Sequence, residues 1–227
     1  MQKYTQALIY TNPLCQPEDI ADFIEEGSLK TSFVNKCLRI ESVRSPKEEQ
    51  KANYVLWCNR VFPHNIKICW QFKPVQEPGL AMMFWAAKAK NGESIFAPGL
   101  MPRTGEYQQY HHSDINAYHL SYFRRKEPDE RIFHTCNLRK SYGLHLVSQG
   151  ADPIPEAASA TQFYDMCITQ FGADITFTIN GLEVLHYVDD ETYGAVLGGG
   201  HIGFRQLAPF CAEYKNLQVY QLLENES

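Results

Sequence analysis

Between residues 32 and 89 apolar and polar side chains alternate with a period close to two, in segments SFVNKCLRIES, NYVLWCN, NIKICWQFKPV and GLAMMFWAAKA that Pro, Gly or Asn residues punctuate. Successive side chains of a strand leave on opposite faces, so this pattern predicts strands with one face turned to a core. In the third segment Ile66, Ile68, Trp70 and Phe72 fall on one face, Lys67, Cys69, Gln71 and Lys73 on the other. The unbroken apolar run from Leu80 to Ala87 predicts a central strand covered on both sides. Further strands are expected in ALIY, in QFYDMCITQFGADITFTINGLEVLHYVDD, in HIGFRQL and in CAEYKNLQVYQL, with Asn180-Gly181 supplying the positive φ of a tight hairpin. PEDIADFIEEG predicts one or two helical turns closed by Gly27, YGLHLVSQGADPIPEAASA a loop, and Asp190 to Gly200 a flexible bend. The expectation is an all-β fold, a two-sheet antiparallel β-sandwich forming a single domain over residues 1–227.

Charge narrows the partners. With 21 basic against 26 acidic residues, a formal net charge of -5, the chain offers no basic field for nucleic acid. QKYTQALIYTNPL after Met1 has neither the basic nor the apolar region of a leader, and no segment is apolar for long enough to span a membrane, so the expected location is cytoplasmic. The seven cysteines are odd in number, scattered and never in C-x-x-C spacing; reduced, mostly buried thiols are expected, with neither disulfides nor a zinc site.

Residues Arg103 to Ser141 gather four of the eight histidines with Tyr, Asp, Asn and Arg on two expected strands joined by a charged turn. Alternation places Asp114, Asn116, Tyr118, Leu120, Tyr122 and Arg124 on one face and Ile115, Ala117, His119, Ser121 and Phe123 on the other. The first face is the one expected to meet a polar ligand. Glycosidic hydrolysis needs two carboxylates, for which Asp114, Glu106 and Asp165 are candidates, although an Asp ahead of a strand equally serves as an Asx turn. Removing the proton α to a uronate carboxylate needs a base and a cation instead, residue types that His119, Tyr122, Arg124 and Arg139 supply. His119 points away from Tyr122 and Arg124 unless the strand twists or bulges. Most of the rings must fill the core; Trp85, Tyr110 and Tyr122 are those expected to stand exposed for stacking on a sugar. His111, His112, Asp114 and His134 lack fixed ligand spacing, so no metal centre or cofactor is expected, a structural calcium being left open. Walker, G-x-G-x-x-G and G-x-S-x-G patterns are absent, which sets aside nucleotide and serine-hydrolase chemistry.

The blocks RTGEYQQYHHSDINAYHLSYFRRK, TCNLRKSYG, GADPIP, INGLEV and IGFRQLAP together resemble the YesU-type family, a domain family of unknown function, over essentially the whole chain. The resemblance implies a concanavalin A-like, galectin-like jelly roll with a concave face, in the setting of bacterial use of plant cell-wall polysaccharides such as rhamnogalacturonan. It brings no catalytic residues. The expected function is a carbohydrate-active protein acting on or binding an acidic, pectin-like oligosaccharide, an enzyme of glycoside hydrolase or polysaccharide lyase type ahead of a binder. Asp114, His119 and Tyr122 are its expected catalytic residues, and Trp85, Tyr110, His112, Asn116, Arg124, Asn137, Arg139 and Arg205 its expected substrate contacts. A non-catalytic lectin-like module and a protein-interaction domain are the alternatives, because a sandwich serves all three.

Overall fold

The computed structural model describes residues 4–225; Met1, Gln2 and Lys3, at the start of the stretch read for a leader, lie outside them. Its strands are β1 (Tyr4–Asn12), β2 (Ile24–Gly27), β3 (Leu29–Val34), β4 (Cys37–Ser42), β5 (Tyr54–Phe62), β6 (Ile66–Gln76), β7 (Leu80–Ala89), β8 (Ile115–Tyr122), β9 (Thr135–Lys140), β10 (His145–Ala151), β11 (Tyr164–Phe171), β12 (Asp174–Ile179), β13 (Leu182–Val188), β14 (Gly200–Leu207) and β15 (Cys211–Glu224). The helices are short: α1 (Gln108–His111) and α2 (Pro128–Ile132). No helix among the described residues is long and apolar enough to cross a membrane. Hydrogen bonding sorts the strands into two antiparallel sheets. One runs β13-β12-β11-β6-β15-β4-β3, with β1 paired to β15; the other runs β10-β9-β8-β7-β14-β5-β2.

The expected two-sheet sandwich is therefore what forms. Ile66, Ile68, Trp70 and Phe72 of β6 are buried and meet Tyr54 and Leu56 of β5, Met83 and Trp85 of β7, and Tyr118, Leu120 and Tyr122 of β8 between the layers. Asn180 and Gly181 take φ of 50° and 77° in the β12–β13 turn, the left-handed pair such a hairpin requires. Two local expectations change. PEDIADFIEEG makes only a 3-10 turn at Pro17–Ile20 before continuing as β2, because IEEG finds a pairing partner in β5. His145–Ala151, read as loop, is the edge strand β10, since β9 offers it an open row of backbone groups. The cysteine expectation also changes: Cys69 on β6 and Cys167 on β11 stand opposite each other in register and are disulfide-bonded, 98 residues apart in sequence. Cys37, Cys58, Cys136 and Cys211 are buried free thiols.

Leu80 to Ala87 of β7 is buried on both faces, as the unbroken apolar run implied. Its inner face belongs to the interlayer core. Its outer face joins a second cluster of Val55, Trp57, Met82, Phe84 and Ala87, roofed by residues 90–113 through Ile95, Leu100, Tyr107 and Tyr110. Arg103 clamps this covering segment to the far edge of the sheet: its guanidinium lies 2.6 Å from Glu26 Oε1 and donates to the Ile95 carbonyl at 2.7 Å, while Glu26 Oε2 accepts from Trp57 Nε1 at 2.9 Å. The Trp57 ring lies over Gly203, where a Cβ would collide with it. Gly203→Ala is accordingly expected to lower stability by about 1–3 kcal/mol, the usual cost of overpacking, measured by urea unfolding. A variant as stable as the parent would mean that the ring can slide.

Candidate functional site

The register of the seven-stranded sheet carries two rows of side chains across its outer face. One reads Leu146, Arg139, His119, Phe84, Gly203, Trp57 from β10 to β5; the other reads Gln149, Asn137, Ser121, Met82, Arg205, Val55. Chemistry changes sharply along both rows. On β7, β14 and β5 they are mainly apolar and lie under the covering segment. On β8, β9 and β10 they are mainly polar. The polar half is the candidate site, with Tyr107 of the covering segment standing at the boundary.

This reverses the expected faces of β8. Tyr118, Leu120 and Tyr122 point into the interlayer core, and Tyr122 is fully buried against Trp70, Phe72 and Phe177. His119 and Ser121 point outward. The physical reason is volume: the larger rings fill the thick space between sheets, whereas the small side chains leave room beside the covering segment. Of the expected substrate contacts, Trp85 is buried between the sheets, stacked on Tyr118 with its Nε1 donating to Gln170 at 2.8 Å. Tyr110 belongs to the covering segment and is buried between it and the sheet, stacked on Phe84. Neither is a ring that a sugar can reach. Asn116 is half-buried on the inner-face side of β8 opposite Lys88, and Asp114 accepts the Met101 amide at 2.7 Å, thirteen residues back, a long-range tie of the covering segment in place of the Asx turn its position also allowed. Asp165 lies on β11 in the other sheet, accepting from Gln71 at 2.8 Å. Glu106, the third candidate acid, is half-buried in the covering segment next to Tyr107, so Asp165 lies on the opposite sheet from the other two.

Arg124 does reach the outer side. Phe123 takes φ 48° and follows Tyr122 into the core, so the alternation slips by one residue and Arg124 emerges beside Asn137. The two terminal atoms of the Asn137 amide lie 2.8 Å from Gln149 Nε2 and 2.8 Å from an Arg124 terminal nitrogen. Arg124 is also paired with Glu130 at 2.5 Å. Arg139 has no carboxylate partner among the described residues and donates to the Leu144 carbonyl at 3.0 Å. Arg205, expected at the surface, is wholly buried under Tyr107 and Tyr110, its guanidinium carbon 5.0 and 5.5 Å from their ring centres; one nitrogen donates to the Gly105 carbonyl, and Nε and the other terminal nitrogen have no partner.

His119 is the centre of this half. Its Nδ1 lies 3.2 Å from Tyr107 Oη and its Nε2 3.1 Å from Ser141 Oγ. Ser141 Oγ accepts from the Ala117 amide and donates to the Ala117 carbonyl, so Nε2 is the protonated ring nitrogen, and Nδ1 accepts the Tyr107 hydroxyl proton. Burial, with His111, Arg205 and Arg139 nearby, holds the His119 imidazole well below its ordinary pKa, hence neutral. Burial pushes the Tyr107 phenol up to about 12 against the opposing pull of Arg205, Arg139 and Arg124. His111 is lowered to about 4 by burial and then by His112, with which it shares a short Nδ1–Nδ1 contact. His112 is exposed and packs on Tyr142, 5.3 Å between centres, and Lys90 lies 3.6 Å over the Tyr142 ring. Tyr107, Ser141 and Tyr142 are the members that sequence reading left out of the site. Of the two tyrosines in the block RTGEYQQYHH the expected contact was Tyr110, and nothing local marked Tyr107 as the partner of His119.

Comparison with known proteins agrees with this architecture. The profile of the family described as "Domain of unknown function (DUF1961)" matches residues 7–219. The "Uncharacterized protein YesU" of Bacillus subtilis (strain 168) is 46% identical over 216 residues, 95% of this chain and 96% of that protein. A solved Bacillus subtilis protein of unknown function with a galectin-like fold superposes at TM-score 0.93 with 45% identity, covering 98% of this chain and 100% of that one. The kappa-carrageenase of Pseudoalteromonas carrageenovora, solved with an oligotetrasaccharide of kappa-carrageenan, superposes at TM-score 0.60 with 9% identity over 98% of this chain and 97% of that one, a likeness of fold alone. Sequence, register and superposition together lead to one assignment: this chain belongs to the DUF1961 family and carries its galectin-like β-sandwich.

Proposed function

We propose that the polar half of the outer face binds an acidic oligosaccharide, of the kind derived from rhamnogalacturonan or another pectin-like polymer. The observation that carries this reading is Arg139: a half-buried guanidinium without a carboxylate partner among the described residues, flanked by the amides of Asn137 and Gln149 and by Arg124. A planar fork of donors fits a sugar carboxylate, and neighbouring amides fit hydroxyls. His112 and the exposed Tyr142 offer ring surface at the same end. The carrageenase sharing this fold was solved with a glycan, which supports a saccharide as the ligand class.

Calorimetric titration with galacturonate-containing oligosaccharides tests the reading. Arg139→Ala is expected to weaken their binding by about 1–3 kcal/mol, the range for a hydrogen bond to a charged group, while neutral oligosaccharides change far less. Equal affinity of parent and variant for the acidic ligand would remove Arg139 from the site.

A further inference from the structure

We propose that the face is catalytic and that it cleaves a uronate-containing chain by β-elimination, with Tyr107 moving the proton, His119 positioning and activating Tyr107, and Arg139 neutralising the carboxylate. This rests on the acidic-oligosaccharide reading of the same site. Three features of the geometry lead to it. Of the candidate acids for hydrolysis, Asp165 sits on the other sheet and Asp114 holds the Met101 amide, which leaves Glu106 alone next to Tyr107 where hydrolysis needs two carboxylates. A phenol and an imidazole are joined at 3.2 Å, with the second imidazole nitrogen locked by Ser141 at 3.1 Å. Arg139 is the register neighbour of His119, on the same face. Sequence alternation separated His119 from Tyr122, but the covering segment supplies a different tyrosine to the correct side.

The step balances within these groups. The Tyr107 phenol proton passes to His119 Nδ1. The phenolate oxygen takes the hydrogen from the ring carbon that bears the carboxylate. That carbon–hydrogen electron pair becomes the new double bond to the adjacent carbon, whose bond to the glycosidic oxygen breaks with its electrons leaving on oxygen. The glycosidic oxygen takes the proton from Tyr107, and His119 returns its own to the phenolate. One hydrogen has moved from carbon to oxygen; no water, metal or oxidant is consumed. Arg139 pairs the carboxylate while charge builds on it. The charged and titratable groups around the dyad are His111 on α1, Arg205 on β14, Arg139 on β9 and Arg124 beyond β8. Burial holds Tyr107 as a phenol, pushed up to about 12, and the three arginines oppose it, lowering the cost of a phenolate there.

The test incubates the full chain with oligogalacturonate and with rhamnogalacturonan oligosaccharides, following the ultraviolet absorbance of the conjugated uronate and the product masses, with calorimetry in parallel. The expected result is rising absorbance with no mass of water added. Tyr107→Phe should lower the rate at least about a hundredfold while leaving the dissociation constant within a few-fold. His119→Gln should convert a rate that is level across neutral pH into one that climbs about tenfold per pH unit, because only bulk base then removes the phenol proton; a purely structural histidine would not produce that slope. Binding without new absorbance, products that gain water, or an undiminished Tyr107→Phe rate overturns the elimination and leaves the binding reading standing. Binding of neither oligosaccharide overturns both.

Discussion

Asp152→Ala is expected to lower the unfolding free energy by about 3–5 kcal/mol, the range for breaking a buried ion pair by deleting one partner. The carboxylate is fully buried. Its Oδ2 accepts the Phe123 amide at 2.7 Å and lies 3.5 Å from Arg125, and its Oδ1 accepts the Ile154 amide at 3.1 Å. Burial outweighs Arg125 in setting this group, which sits above the ordinary carboxylate pKa. The damage therefore comes less from a lost attraction than from what truncation strands: a buried guanidinium over the Phe123 ring and two amides without acceptors. The consequence reaches the site, because the Phe123 amide is held where the chain takes its left-handed residue and delivers Arg124 to the outer face. Urea unfolding measures the loss. A change below about 1 kcal/mol would mean that Arg125 finds water or a new partner, and Arg124 should then keep its place.

A second large effect is expected from acid. His111 stands at about 4 in the folded chain against an ordinary 6.5, lowered first by burial and then by His112, Arg205 and Arg139. Its folded pKa is depressed, so below 6.5 the unfolded chain takes up a proton that the folded chain refuses. Stability is full above that value, falls as pH drops from 6.5 towards 4, and levels below it. The difference corresponds to roughly 3 kcal/mol. His119, held lower still by burial, His111, Arg205 and Arg139, and His201, lowered mainly by burial, act in the same direction. Asp152, raised by burial, opposes them as it protonates. Urea midpoints at neutral pH and near pH 4 measure the slope, and His111→Gln should flatten it. Identical stability at the two pH values would show that these imidazoles gain water or charge partners in solution.

Most of the architecture was legible because it rests on short-range chemistry. The inner faces of β6 and β7, the buried centre of β7 and the Asn180-Gly181 turn each follow from side-chain period or from a local φ requirement. The β10 strand was illegible because an edge strand exposed on one side needs a partner, here β9, more than it needs a pattern. The Cys69–Cys167 pair was illegible for a similar reason: register, not spacing, brings together residues 98 positions apart.

The candidate site divides along the same line. Residue types between Arg103 and Ser141 identified His119, Arg124, Asn137 and Arg139 as a polar group on neighbouring strands, which the register of β8 and β9 brings together. Period two distinguishes two faces but cannot say which of them meets the second sheet; packing volume decides that, and it sent Tyr122 and Trp85 inward. The covering segment has no period at all. Its position depends on Arg103 meeting Glu26, on Arg205 holding the Gly105 carbonyl and on the outer apolar cluster, and that docking places Tyr107 beside His119. Local pattern therefore determined most of the strands and the polar residue set of this chain. Long-range packing alone decided the direction in which that set faces and the phenol that completes it, because both depend on contacts between segments whose proximity no sequence interval encodes.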